Sequence, residues 1–235
     1  MLAALKQKVW EANINLAGAG LTILTFGNVS GLDRRRGIFG IKPSGVPYEK
    51  MKPSDIVLVD LDGRTVEGRL KPSSDTPTHL ELYRAFGSIG GIAHTHCPYA
   101  TMFAQAGKEI PCLGTTHADV FNGPVPVTRK LHRREVTGDY EANTGRVIVE
   151  RFDGLDPGTT PAVLVHGHGP FAWGATPRQA IEILIELEFI ARTAFGTILL
   201  DGRKTPIDDY ILKKHHERKH GPGAYYGQKK EDTDE

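Results

Sequence analysis

Two pairs of histidines in this chain have the spacing of metal ligands. They are His94 and His96 in "GGIAHTHC", and His166 and His168 in "VLVHGHGPFAW". A zinc ion takes three or four N, O or S ligands, and a catalytic centre leaves one position open for water or substrate. Alternate residues of a strand share a face, so His94 and His96 on one strand point the same way and can share an ion. The second pair can supply a third imidazole. One H-x-H pair alone is explained as readily by hydrogen-bonded core or surface histidines. Two pairs, each closing an apolar run and each followed by a proline turn, put a metal centre level with that plainer reading. The Cys97 thiol, next along the same strand, faces the other way and is read as packing.

Three short loops carry small polar residues and glycine: "FGNVSG", "IKPSGV" and "KPSSDTPTH". Backbone N–H groups and serine hydroxyls in such loops can cradle a phosphate, with a lysine adding charge. Each taken alone is equally an ordinary turn. None has the Walker pattern, which argues against a nucleotide P-loop. "GTTHADVF" places His117 and Asp119 in a loop. Asp119 there is either a general base or a helix cap. Tyr225 and Tyr226 in "GPGAYYGQ" are either a packed aromatic anchor or a source of a phenol acting as acid or base.

The elements that must position these groups are intermixed. Residues 2–17 read as an amphipathic helix. "LTILTFGNVSG" and "RGIFGIKPSG" read as a strand pair across a turn, and "DIVLVDLDG" as a strand with "RTVEG" returning beside it. "SSDTPTHLELYRAFG" opens with capping residues and continues as a helix. "GGIAHTHC" reads as a buried strand, and Pro98 can begin the next helix. "PVPVT" is a short strand and "NTGRVIVERFDG" a helix. "PAVLVHGHGPFAWG" is a strand with a Gly-Pro turn inside it. The longest helical pattern follows, and a last helix spans 207–219. Helices and strands mix without strict βαβ alternation. The expected fold is therefore α/β of the α+β kind: one domain with a predominantly antiparallel central sheet covered by helices.

The bulk composition excludes several classes. With 235 residues, 39% apolar, 24% charged and a net charge of +1, the chain is an ordinary globular protein able to bury a core. Near-neutral charge leaves no electrostatic footprint for nucleic acid. No stretch approaches the ~18 apolar residues of a membrane span, and Lys6, Lys8 and Glu11 interrupt any signal-peptide core. Two cysteines imply no disulfide framework and a cytoplasmic setting.

Seven motifs occur in order: "FGNVS", "IKPSGV", "KPSSDTPTH", "GGIAHTHC", "GTTHAD", "VLVHGHGPFAWG" and "RKHG…AYYGQ". Together, over residues 1–228, they resemble the class II aldolase/epimerase superfamily, and within it the L-ribulose-5-phosphate 4-epimerases. The residues 229–235 would be a charged tail. The resemblance implies a three-layer fold. It also implies a divalent metal, normally zinc with manganese or cobalt as substitutes, held by His94, His96 and His168 with Asp75 as a weaker ligand. His166 would be structural. Gly27, Asn28, Lys42, Ser44, Gly45, Ser73 and Ser74 would hold a sugar phosphate. Asp119 and Tyr226 match the acid/base pair and His215 a histidine near them; Thr115 and Glu141 match less distinctive motifs. The implied activity is C4 epimerisation of a ribulose phosphate in pentose (L-arabinose) catabolism by retro-aldol cleavage and re-addition. The implied assembly is a C4 homotetramer with active sites between subunits. The nearest rivals are a sugar-phosphate aldolase of the superfamily, which carries glutamate where this chain has Asp75, and an epimerase acting on a related phosphorylated ketose. A non-catalytic zinc-binding module is a third reading.

Overall fold

The first run of helical periodicity folds as α1 (Leu2–Gly18), and the chain then enters a seven-stranded sheet. The computed structural model describes residues 2–202 and 205–227. The strands are β1 (Asn28–Asp33), β2 (Ile38–Ile41), β3 (Val57–Asp60), β4 (Thr65–Glu67), β5 (Gly91–His94), β6 (Ala162–Val165) and β7 (Gly169–Gly174). Their order is β4-β3-β2-β1-β5-β7-β6, and every neighbouring pair is antiparallel. The helices are α2 (Thr76–Ala85), α3 (Pro98–Ala106), α4 (Thr115–Ala118), α5 (Arg133–Thr137), α6 (Tyr140–Arg151), α7 (Pro177–Asp201) and α8 (Asp209–His220).

Strand alternation gives the sheet two apolar faces, and helices cover both. Val29, Ala93, Leu164 and Ala172 pack against α1, α3 and α7. Phe39, Val57, Val59, Ile92, Val163, Phe171 and Trp173 pack against α2 and α6. This is the expected three-layer, antiparallel arrangement in a single domain. His94 alternates with Ala93, so it belongs to the α2/α6 face, where its ring stacks on Phe171 at 4.0 Å between centroids.

Several sequence expectations need correction. The strand carrying the first histidine pair ends at His94, and His96 lies in the connection to α3. The second pair is not inside a strand: His166, Gly167 and His168 form the turn between β6 and β7, and Gly167 adopts φ +72°. "PVPVT" forms only isolated bridges, Val125 to Ile110 and Val127 to Leu164. Pro124 and Pro126 lack the N–H groups that a longer ladder requires. The run at 21–27 stays outside the sheet, with Leu24 at φ +53°. At the start of β1 the buried Asn13 amide takes the place of a strand neighbour, accepting from Val29 N–H at 2.8 Å and donating to its carbonyl at 2.9 Å. The last helix begins at Asp209 rather than 207. The boundary expected at 228/229 falls outside the described residues.

Helix α7 starts directly over β1 and β5. At Gly91 an added Cβ would come within 2.3 Å of the Pro177 nitrogen and 2.4 Å of the Thr176 carbonyl carbon, both backbone atoms. Gly91→Ala is expected to destabilise the fold by about 2–3 kcal/mol through overpacking, lowering Tm by roughly 5–10 °C. Gly87→Ala, where nothing lies within 4 Å of the new Cβ, is the control and should leave Tm nearly unchanged. Calorimetry on the two variants checks the difference.

Candidate active site

The end of β5 and the β6–β7 turn bring three imidazoles together. Ring centroids are 5.1 Å apart for His94 and His96, 4.8 Å for His94 and His168, and 4.9 Å for His96 and His168. One ligating nitrogen from each lies within 4.8 Å of the others. His94 Nδ1 is 2.8 Å from the Pro170 carbonyl. A carbonyl only accepts, so Nδ1 carries a proton, and Nε2 is the nitrogen left to face a ligand, as in metal-binding histidines held from behind. Burial, reinforced by the two neighbouring imidazoles, pushes His168 down to about 3. Burial and His94 also lower His96. Both rings are therefore neutral at physiological pH, the form a cation requires. Three imidazole N donors with one side open fit a divalent metal of the zinc kind.

Asp75 stands beside this triad but outside its mutual ligand distance. It is the N-cap residue of α2, yet its side chain caps nothing. Its carboxylate instead accepts from Asn28 Nδ2 at 2.6 Å. Burial would raise its pKa, but His94, His79, His168 and the Asn28 bond together hold it below the usual value.

The three small-polar loops converge on the same place. Gly27, Asn28, Lys42, Ser44, Gly45, Ser73, Ser74, Asp75 and the three histidines all line one cavity of about 760 Å³. Asn28 Nδ2 also reaches Ser73 Oγ at 3.1 Å, which ties the first loop to the third. Ser44 N–H donates to the Lys71 carbonyl and Ser73 N–H to the Lys42 carbonyl, both at 2.9 Å, which ties the second loop to the third. Lys42 is only 2% exposed. Its Nζ donates to the Thr25 carbonyl at 3.1 Å and lies 4.7 Å from the Tyr48 ring centroid. Burial pushes its pKa down to about 8. Metal-competent and anion-competent residues thus line one cavity, of a size that takes a small phosphorylated molecule.

Sequence motifs alone do not single out several of the lining residues: Phe26, Thr101, Gln105 and Tyr140. Thr101 and Gln105 are one turn apart on α3, a spacing that points both side chains one way. Tyr140 Oη lies 3.4 Å from His168 Nδ1. Glu141, a weaker sequence candidate, also lines the cavity, and its carbonyl is anchored by Thr78 Oγ1 at 2.6 Å. His166 stays out of the triad, its ring packed over Gly107. Cys97 is buried as packing, although at the N-cap of α3 rather than on a strand.

Thr115, Asp119, His215 and Tyr226 do not line this cavity in their own chain. Thr115 begins α4, and Asp119 ends it against α8. Asp119 accepts from His215 Nδ1 at 3.0 Å and from Arg218 Nε and Nη2 at 2.9 and 2.5 Å. Burial would raise the Asp119 pKa, but these bonds hold it below the usual carboxylate value. Tyr226 is 60% exposed beside this cluster.

Comparison with known proteins agrees with this geometry. Residues 7–195 match the class II aldolase and adducin N-terminal domain family. The chain is 53% identical over 225 residues to the L-ribulose-5-phosphate 4-epimerase UlaF of Salmonella paratyphi B, covering 96% of this chain and 99% of the relative. The same figures hold for the protein of that name from Salmonella typhi. Among solved structures, an L-fuculose 1-phosphate aldolase superposes with a TM-score of 0.77 at 28% identity, over 92% of this chain and 95% of the other. The L-fuculose-1-phosphate aldolase of Thermus thermophilus gives 0.67 at 25% identity, over 86% and 100%. Fold, histidine triad and full-length similarity agree: the chain belongs to the class II aldolase and adducin N-terminal domain family, on its L-ribulose-5-phosphate 4-epimerase branch.

Proposed function

We propose that this protein is a metal-dependent isomerase that interconverts L-ribulose 5-phosphate and D-xylulose 5-phosphate. The observation that carries the reading is the single cavity that three clustered imidazoles share with the Asn28, Ser44 and Ser73–Ser74 loops. His94, His96 and His168 hold the metal, zinc by the fit of three nitrogen donors, with manganese or cobalt able to replace it. Asp75 is an adjacent, weaker ligand. Gly27, Asn28, Lys42, Ser44, Gly45, Ser73 and Ser74 grip the phosphate end of the sugar. Both cysteines are free and buried, as suits a cytoplasmic enzyme, and no helix among the described residues is long and apolar enough to cross a membrane.

C4 of the substrate is not acidic, so inversion there requires the C3–C4 bond to break and re-form. One acid/base group removes the C4 hydroxyl proton. The C3–C4 electron pair moves toward the C2 carbonyl, leaving an enediolate of dihydroxyacetone and glycolaldehyde phosphate. The bound metal supplies a Lewis acid beside the developing negative charge. The phosphate loops keep the aldehyde in place while it turns its other face. Re-addition follows, and the second group returns a proton to O4. Asp119 and Tyr226 are the assigned pair, with His215 and Thr115 beside them. They lie away from their own chain's cavity, so a C4 tetramer delivers one chain's Asp119–Tyr226 cluster to the metal cavity of its neighbour.

The aldolase alternative draws on the 0.77 superposition with an L-fuculose 1-phosphate aldolase. Two observations weigh against it. Identity to the epimerases is 53% along the whole chain, against 28% to that aldolase. The carboxylate at the position of the aldolase glutamate is Asp75, one methylene shorter and tied to Asn28 Nδ2.

An NMR time course with L-ribulose 5-phosphate, with and without chelator, tests the proposal. Metal-dependent appearance of D-xylulose 5-phosphate is expected. Accumulation of dihydroxyacetone and glycolaldehyde phosphate would instead establish an aldolase. Asp119→Asn and Tyr226→Phe should each cut turnover by about 10²–10⁴-fold with metal retained, whereas His96→Asn should lose metal as well. Mixing His96→Asn and Tyr226→Phe subunits should restore about a quarter of wild-type activity by random assembly; no recovery would place both groups in one chain's site. Because the Lys42 pKa is depressed to about 8, its charge is present below that pH and lost above it. KM for the sugar phosphate should therefore rise as pH passes about 8 while kcat holds, as initial rates at pH values on either side of the Lys42 pKa would reveal.

A further inference from the structure

Asp119 and Tyr226 are held by a residue that the motif reading gives no role. Arg218, on the third turn of α8, grips the Asp119 carboxylate side-on, with Nε 2.9 Å from Oδ1 and Nη2 2.5 Å from Oδ2. Its backbone carbonyl accepts the N–H groups of both Tyr225 and Tyr226, at 3.0 and 3.1 Å. Its guanidinium carbon stands 5.1 Å from the centroid of the Tyr226 ring. One residue therefore touches both members of the assigned acid/base pair, through side chain and backbone alike.

We propose that Arg218 is the positioning residue of the proton-transfer half-site: it fixes the Asp119 carboxylate and seats the Tyr226 ring as one unit. The proposal rests on the reading of Asp119 and Tyr226 given above. The planar guanidinium suits the task, because it binds a carboxylate with two parallel bonds and presents a face to an aromatic ring. A side-on fork leaves the carboxylate one orientation, where a single bond would leave it a rotor. The ring contact holds an exposed tyrosine at the end of a glycine-containing segment against the guanidinium that grips the carboxylate. His215 completes the grip on Oδ1, and His220 Nε2 donates to the Asp119 backbone carbonyl at 2.9 Å.

The charged and titratable groups around Asp119 are His215, Arg218, Lys219 and His220 from α8, and Glu186 from α7. Lys219 also lies 4.7 Å from the Tyr226 ring. Among these, Arg218 alone makes two hydrogen bonds to the Asp119 carboxylate, one to each oxygen. Its removal takes two charge-assisted bonds from the carboxylate, so the Asp119 pKa rises. A base must be deprotonated to act, so the acidic limb of the kcat/KM profile moves to higher pH.

The test uses the full-length, metal-loaded enzyme and two variants, Arg218→Met and Arg218→Lys, each also made in the Asp119→Asn background. Arg218→Met should lower kcat on the order of 10²-fold, with metal content and KM close to wild type. It should also move the acidic limb upward, and Arg218→Lys should recover part of both. In the Asp119→Asn background the loss from Arg218→Met should largely vanish, because Arg218 acts through that carboxylate. Independently of turnover, the carboxyl ¹³C resonance of Asp119 should titrate at higher pH in Arg218→Met. Additive losses in the double variant, or an Asp119 titration unchanged by Arg218→Met, would overturn the assignment. A wild-type enzyme without epimerase activity would overturn the functional reading instead, and the ¹³C titration would still decide what Arg218 does to Asp119.

Discussion

The cavity depends on one hydrogen bond, from His94 Nδ1 to the carbonyl of Pro170. It joins the last residue of β5 to the second residue of β7 beside the ladder pair His94–Phe171, so the imidazole is fastened to both strands. Because a carbonyl can only accept, the bond also occupies Nδ1 and leaves Nε2 as the nitrogen that faces the cavity's other imidazoles. Phe171 packs flat against the same ring. With His94 immobile, the turn at Gly167 carries His168 to 4.8 Å from it, and the connection to α3 brings in His96. A side chain fixed to the sheet can orient a ligand more precisely than one on a loop. The other two histidines, neither of them on a strand, are arranged around it.

Anchoring has an electrostatic consequence. Three imidazoles about 5 Å apart could each take up a proton, and three adjacent cations in a cavity would repel. Burial and mutual proximity settle the matter by keeping His168 and His96 neutral. Lone pairs that face one another without a donor are costly in a low dielectric. A cation between them removes that cost. The triad is therefore built to be occupied, and the neighbouring Asp75 carboxylate adds negative charge on the same side.

Much of this is legible in the residue string, though not always for the right reason. Strand alternation pairs His94 with His96, but β5 stops at His94, and His96 reaches the cluster from the next turn. The apolar run before His168 reads as a strand that carries it, yet the residue comes from a hairpin turn. The three polar loops each look like ordinary turns in sequence, and their convergence becomes visible only when Asn28 is seen bonded to Ser73 and Asp75 across the sheet end. Long-range bonds of this kind, here spanning 45 and 47 positions, leave no local periodicity. Arg218 escapes sequence reasoning for the same cause: in "KKHHERKHG" it is one cation among several, and only its partner 99 residues away distinguishes it. The long helix α7 and the sheet layers, by contrast, are readable because burial repeats along the chain.

Two aspartates show how environment divides labour within one chain. Asp75 lies among imidazoles and an amide, where it puts negative charge on the histidine side of the cavity. Asp119 lies against a guanidinium and a single imidazole on a different helix. Both are held below the usual carboxylate pKa, yet by different partners. A carboxylate placed inside the histidine cavity would be claimed by the cation, as Asp75 is already claimed by its neighbours. In the proposed mechanism the proton carrier, Asp119, must stay uncommitted to the metal in order to exchange its proton with O4. Holding it on α4 and α8, with Arg218 in place of the metal as its counter-charge, meets that requirement. The proposed meeting of the two clusters across a subunit boundary then brings base and Lewis acid together only around the substrate.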